Sequence, residues 1–399
     1  MSNQEKSFFT SFFNRMTPRD PNESHRQASF LELFFDLCFV VAIAQAAVQL
    51  HHALAEAHII SGIISFSMVF FAIWWAWMNF TWFASAYDND DIPFRLATFV
   101  QIIGALVLAA GVQRGFADQN FNIIFIGYLI MRMGLASLWV RAALHDPERK
   151  TTNYRYAFGI SAAMIGWGTM FALNYWPVWG FAAMALIELV IPVWAESANK
   201  TTWHPDHIAE RYGLLIIIVL GESVLAATNA VQIAIDEQGA GFEALVLIIA
   251  GGLLTIFSMW WLYFSRSADR FLSTKPLVSF GWGYGHYFIF AAAAIVGAGI
   301  GVNIDHVTAH TALSDPAAAA TITVPAALFL LTLWIFHLRP HQIGWYHGAL
   351  FTGNAIIILL VSFSPWPILL TGLITVITVI MNGVICRREE QQLAIQTDV

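Results

Sequence analysis

The chain has 399 residues, of which 58% are hydrophobic and only 11% charged, with a mean hydropathy of +0.64. That composition cannot supply a water-facing surface for a fold of this length, and it points to an all-α, polytopic membrane protein. The formal net charge of −7 comes with no continuous basic face, so no nucleic-acid partner is expected, and the two cysteines, Cys38 and Cys386, offer neither a disulfide framework nor a metal spacing.

A membrane crossing takes about 20 apolar residues at 1.5 Å each. A polar segment carrying Lys6, Arg15, Arg19 and Arg26 comes first. It lacks the short apolar core and cleavage site of a signal peptide and reads as a retained cytoplasmic tail. Twelve apolar runs follow, at about 30–50, 59–83, 94–112, 122–141, 155–174 and 178–196, then 208–229, 244–265, 281–301, 320–337, 344–363 and 367–386. Polar or proline-containing joints separate them, such as Asp88 to Pro93, His145-Asp146-Pro147, Trp203-His204-Pro205 and Ser364 to Pro367.

The two halves echo one another. Leu31 to Gln45 (LELFFDLCFVVAIAQ) parallels Ala209 to Ser223 (AERYGLLIIIVLGES), Trp74-Trp75 parallels Trp260-Trp261, and Gly111 parallels Gly299. The offset drifts from 178 to 188 residues, as a duplicated bundle with altered loops would give. The expected division is a tail over 1–28, a six-helix repeat over 29–200, a second over 201–387 and a tail over 388–399. Six spans per half make the two repeats parallel. With both termini cytoplasmic, 17 of the 19 Lys and Arg residues fall on the cytoplasmic side, leaving Arg114 outside and Arg132 within a span.

The motifs that carry the repeat also carry a resemblance. LELFFDLCFVVAIAQ from Leu31, WWAWMNFTWF from Trp74, HIAERYGLLIIIVLGES from His207 and WWLYF from Trp260 resemble the low temperature requirement A (LtrA) family of bacterial membrane proteins. The resemblance touches both halves and implies a multi-pass protein of the bacterial inner membrane, linked by the family's name to growth in the cold. It implies no reaction and no substrate. Cys38 stands where a valine-like residue is expected.

Ionisable groups at membrane depth cost about 2.5–3.5 kcal/mol each on insertion scales, so they face partners or wet cavities. Arg132 and Glu188 fall near the middle of their spans, and Glu222 near or just beyond the middle of its own. Glu32 and Asp36 share a helix face at i, i+4, Glu210 and Arg211 open the seventh span, and Gln45 sits beside the position that the repeat aligns with Glu222. On one reading Glu188 and Glu222 take up and release a proton or cation while Arg132 biases their charge, all three facing one cavity. On the other, Arg132 neutralises a glutamate as a structural pair, and the acids near helix starts anchor the helix dipole. Trp74, Trp75, Trp260 and Trp261 are candidate pocket aromatics or interhelical packing. His286, in the glycine-alternating stretch Gly281 to His286, is a proton shuttle or a hydrogen-bonded helix histidine. His51, His52 and His58 in one outer loop, and His306 and His310 in another, read as solvated histidines rather than metal ligands.

With no nucleotide-binding motif, an ion gradient is the available energy source. The leading expectation is an ion- or proton-coupled secondary transporter or channel for a small molecule or ion, with the lipid bilayer as the other partner and no cofactor. An intramembrane enzyme acting on a lipid or isoprenoid is the second reading, weakened by the absence of a nucleophile–base or paired metal-carboxylate spacing. A sensor or scaffold of membrane state is the third.

Overall fold

The computed structural model describes residues 14–21, 23, 26–236, 242–268, 272, 276–341 and 345–397. Lys6, Arg270 and Lys275, assigned above to the cytoplasmic side, lie outside these residues. Twelve long α-helices and no strand occur among the described residues: α1 Phe30–Ala55, α2 Ile59–Tyr87, α3 Ile92–Ala117, α4 Asn122–His145, α5 Lys150–Ala172, α6 Val178–Glu196, α7 Pro205–Asp236, α8 Phe242–Tyr263, α9 Pro276–Val307, α10 Asp315–Leu333, α11 Tyr346–Leu360 and α12 Pro367–Thr397. Each apolar run of the sequence falls on one of them. A π-helical turn, Trp334–Leu338, prolongs α10.

Eleven of the twelve are long and apolar enough to cross a bilayer. The exception is α5, whose first turns read Lys150-Thr151-Thr152-Asn153-Tyr154-Arg155. Those polar side chains are used locally: Thr152 Oγ1 donates to the Asn199 carbonyl at 2.7 Å, and Asn153 Nδ2 donates to Tyr87 Oη at 3.0 Å. The last helix, α12, runs well beyond the expected apolar run, through Arg387 and Arg388 to Thr397.

The chain forms two compact units. The first comprises the described residues up to Ala42 together with Phe71–Arg211, and the second Ile43–Phe70 with the described residues from Tyr212 onward. The division therefore passes through α1, α2 and α7.

In the first unit, α3 packs on α4, α4 on α5 and α5 on α6. Close approach of α3 and α4 depends on glycine. A Cβ on Gly104 would stand 2.6 Å from the Gly127 carbonyl oxygen, and one on Gly127 would overlap the Leu108 amide. In membranes, helix association draws on such backbone-to-backbone packing because lipid offers no hydrophobic driving force. A polar layer closes one end of this unit. Asp91 caps α3 by accepting from the Phe94 amide at 3.0 Å, and Arg141 of α4 donates to both of its carboxylate oxygens. Asp146 accepts from Tyr87 Oη at 2.9 Å and from the Glu148 and Arg149 amides at 3.1 and 3.2 Å. Residues 14–21 lie across these joints: the Asn14 amide donates to Asp91, the Arg15 side chain to the His145 carbonyl, and the Arg19 amide to the Ala86 carbonyl.

In the second unit, α8 packs on α12, α9 on α10, α10 on α11 and α11 on α12. Glycine again permits the closest crossings, since a Cβ on Gly251 would overlap the Ile368 carbonyl and one on Gly299 that of Thr321.

Candidate functional site

The first unit buries an ionic cluster where the start of α1 meets the start of α7. Ser29 and Glu32 form a capping box, in which the Ser29 amide donates to Glu32 Oε2 at 2.7 Å and the Glu32 amide to Ser29 Oγ at 3.3 Å. This leaves Glu32 Oε1 for Arg211 Nη1 at 2.7 Å, with His207 Nε2 3.0 Å away. One turn along α1, Asp36 accepts Arg211 Nε at 3.0 Å, Arg211 Nη2 at 2.5 Å and the Trp77 indole N–H at 2.7 Å. All four charged or ionisable side chains are shut off from solvent. With His207 neutral, two carboxylates face one guanidinium. Glu210, the residue before Arg211, is instead exposed and accepts the Ala28 amide at 3.0 Å.

A second buried pair lies among α2, α4, α5 and α6. Glu188 accepts Arg132 Nη2 at 2.5 Å and the Trp75 indole at 2.9 Å on one oxygen, and Tyr128 Oη at 2.9 Å and the Trp167 indole at 3.2 Å on the other. Four donors surround the carboxylate, the extra hydrogen bonds that a buried ion pair needs to offset its desolvation. Arg132 lies over the Tyr128 ring at 5.5 Å, and its Nε and Nη1 have no hydrogen-bond partner among the described residues. Trp74 is buried beside Trp75, with ring centroids 5.6 Å apart.

The structure thus brings Arg132 and Glu188 together. Glu222 belongs to the second unit, where it lines a cavity of about 290 Å³ bounded by α1, α7 and α9. It is half-buried and has no hydrogen bond or ion pair among the described residues, unlike Glu32, Asp36 and Glu188. Its neighbour Ser223 donates to the Ala293 carbonyl at 3.2 Å. The same cavity holds His51, whose Nε2 lies 2.7 Å from Asp305 Oδ2. Gln45 is exposed on α1.

His286 is fully buried in the second unit. Its Nδ1 bonds the Trp282 carbonyl at 2.7 Å, which requires the proton there and leaves Nε2, 3.1 Å from Tyr263 Oη, to accept. His337, on the π-helical turn, is fixed in the opposite tautomer: Nε2 donates to the Tyr263 carbonyl at 3.0 Å, and Nδ1 accepts the Trp282 indole at 3.2 Å. Trp260 and Trp261 are exposed, at 47% and 60%, and Trp261 lines an apolar groove of about 520 Å³ that also takes in Arg387. Among the described residues no cluster of His, Cys, Asp or Glu is placed to hold a metal ion.

Outside the spans, burial and the charge of Glu32 push the Asp88 carboxyl up to about 6, against the pull of Arg26, whose Nη2 lies 3.5 Å away. For Asp91, burial is outweighed by the donors from Arg141, Phe94 and Asn14, and its carboxyl is held below the usual range. The Arg19 hydrogen bond likewise holds Glu23 low.

Arg211 and His207 are the residues whose importance the sequence reading missed. The signal was present, since a basic residue opening an apolar helix needs an acid, and Glu32 and Asp36 presented two on one face with no partner of their own. Nothing in the spacing joined residues 175 apart.

Long apolar helices with charges neutralised inside the bundle define a multi-pass membrane protein. The sequence profile of the bacterial low temperature requirement A protein (LtrA) matches residues 27–383, nearly the whole chain, and the chain belongs to that family. It is similar to an uncharacterized protein of Rhizobium meliloti (strain 1021), 28% identical over an alignment of 269 positions that covers 63% of this chain and 63% of the relative. The match therefore spans somewhat less than two thirds of that relative's length.

Proposed function

We propose that the protein is a proton- or cation-coupled secondary transporter or channel of the bacterial inner membrane, with Glu222 as its titrating group. One contrast supports this reading above all: Glu32, Asp36 and Glu188 are locked to cationic partners, whereas Glu222 meets a cavity without one among the described residues. A carboxylate in a membrane-length helix without a counter-charge is stable where it can take a proton or meet a mobile cation. The paired clusters then serve as fixed anchors, and Glu222 as the exchangeable site.

We further propose twelve spans in two parallel repeats over 29–200 and 201–387, with both termini cytoplasmic. Support comes from Gly111 and Gly299, which the repeat aligns. Each sits where its helix presses on the next, α3 on α4 and α9 on α10, with a Cβ meeting the Ile124 amide in one and the Thr321 carbonyl in the other. The basic residues gathered at one set of helix ends and joints support the orientation.

Purified protein in liposomes loaded with a pH-sensitive dye tests the activity. Wild type should relax an imposed cation gradient with coupled proton movement, and Glu222→Gln should abolish it without loss of folding. Equal flux in both removes Glu222 from the mechanism.

A further inference from the structure

The cavity that holds Glu222 has a chemistry of its own. It runs along α9 from the level of Ala293, to which Ser223 is bonded, to Asp305. At 1.5 Å per residue these ends are roughly 18 Å apart. Two glycines on one face of α9 keep it open to the side chains that define its ends. A Cβ on Gly297 would stand 2.8 Å from Ser223 Oγ, and one on Gly301 would stand 3.0 Å from the His51 ring. At the shallow end Asp305 is occupied by His51. At the deep end Glu222 has no partner among the described residues. None of the described Lys or Arg residues lines the cavity, and the wall between the ends is aliphatic, including Ala47, Val48 and Ala298.

Charge, size and wall together select a ligand. Asp305 is bonded to His51, so the carboxylate of the cavity left without a partner among the described residues is Glu222, at its deep end. Its volume of about 290 Å³ is many times the roughly 30 Å³ of a water molecule, so it is oversized for a proton or a single inorganic cation. An aliphatic wall rewards an apolar body rather than a hydration shell.

We propose that this cavity binds a small alkylammonium ion, its nitrogen on the Glu222 carboxylate and its hydrocarbon along the Ala47, Val48 and Ala298 wall. The proposal rests on the reading of Glu222 as the exchangeable group and deepens it by naming the substrate class. When Glu222 is protonated, the arriving ammonium displaces that proton to solvent and keeps its own, so one positive charge enters as one leaves.

Calorimetry on the full chain in detergent, with n-butylammonium, n-pentanol and butyrate as probes, tests this. We expect n-butylammonium alone to bind, more weakly as pH falls, with proton release seen as a dependence of the measured heat on buffer ionisation. Glu222→Gln should weaken binding at least tenfold. Ala298→Leu, which keeps every charge and fills the wall, should weaken it similarly. n-Pentanol binding as well as the amine, or n-butylammonium binding unchanged in either variant, overturns the proposal. Glu222-dependent proton flux in liposomes without n-butylammonium binding would overturn the amine assignment alone. Binding without flux would sustain the amine site and remove the transport reading.

Discussion

Arg211 and Asp36, 175 residues apart in the chain, meet through two hydrogen bonds, Nε to Oδ2 at 3.0 Å and Nη2 to Oδ1 at 2.5 Å. The fork geometry is specific to arginine, and the remaining nitrogen of the same guanidinium reaches Glu32. One side chain of α7 therefore bridges both buried carboxylates on one face of α1.

Arg211→Ala should be among the most damaging substitutions in the protein. It strands two buried carboxylates, and removal of one partner of a buried pair costs about 3–5 kcal/mol. Arg211→Lys should recover little, because an ammonium cannot span Glu32 and Asp36 together. Thermal unfolding in detergent measures both. A melting temperature for Arg211→Lys close to wild type would show that charge, rather than the fork, is what the site requires.

Trp75→Phe offers a milder test of the Glu188 site. The ring is retained and one donor to a buried carboxylate is lost, a change of about 1.5–3 kcal/mol for a hydrogen bond to a charged group. Glu188→Gln should be worse, since it leaves Arg132 charged and buried with no counter-ion. A smaller loss of thermal stability for Glu188→Gln than for Trp75→Phe would contradict an ionised Glu188.

Much of this arrangement was legible in the sequence, for reasons particular residues make clear. Apolar runs of membrane length located the twelve long helices of the described residues, because a bilayer leaves the backbone no alternative to closing its hydrogen bonds locally. The approximate depths of Arg132, Glu188 and Glu222 grouped the three residues but left open which glutamate Arg132 meets, and its partner is Glu188. What could not be read was contact between distant helices. Trp77 as a donor to Asp36 looks like any aromatic in an aromatic-rich span, and the meeting of His51 with Asp305 joins residues 254 apart. The role of the polar first turns of α5 was also hidden, since they serve a buried network with Tyr87 and Asn199 that only packing reveals.

Asp88 gives the protein a pH response with a definite sign. Its carboxyl is raised from an ordinary 3.8 to about 6, so between these values the folded chain holds a proton that the unfolded chain has released. Stability therefore falls as pH rises through this window, by at most about 3 kcal/mol, and is level above it. Asp88→Asn, which is uncharged throughout, should flatten the profile of melting temperature against pH between about 4 and 6. A wild-type profile rising with pH across that window, with the rise removed in Asp88→Asn, would mean that Arg26 dominates and that the carboxyl is lowered instead.

Glycine substitutions separate close helix crossings from ordinary helix positions. Gly127→Ala would drive a methyl group into the Leu108 amide, and Gly299→Ala would drive one into the Thr321 carbonyl; in both cases the obstacle is backbone and cannot rotate away. Gly353, within α11, is different, because a Cβ there would have nothing within 4 Å. Gly353→Ala therefore removes only the flexibility of a helix-interior glycine and should stabilise by about 0.4–1 kcal/mol. The first two variants should lower the melting temperature by several degrees while the third raises it slightly. If the two halves are true repeats, Gly111→Ala should behave like Gly299→Ala, because each glycine lies at the corresponding crossing of its own half. A tolerated Gly111→Ala beside a destabilising Gly299→Ala would show that the resemblance between the halves does not extend to how their helices pack.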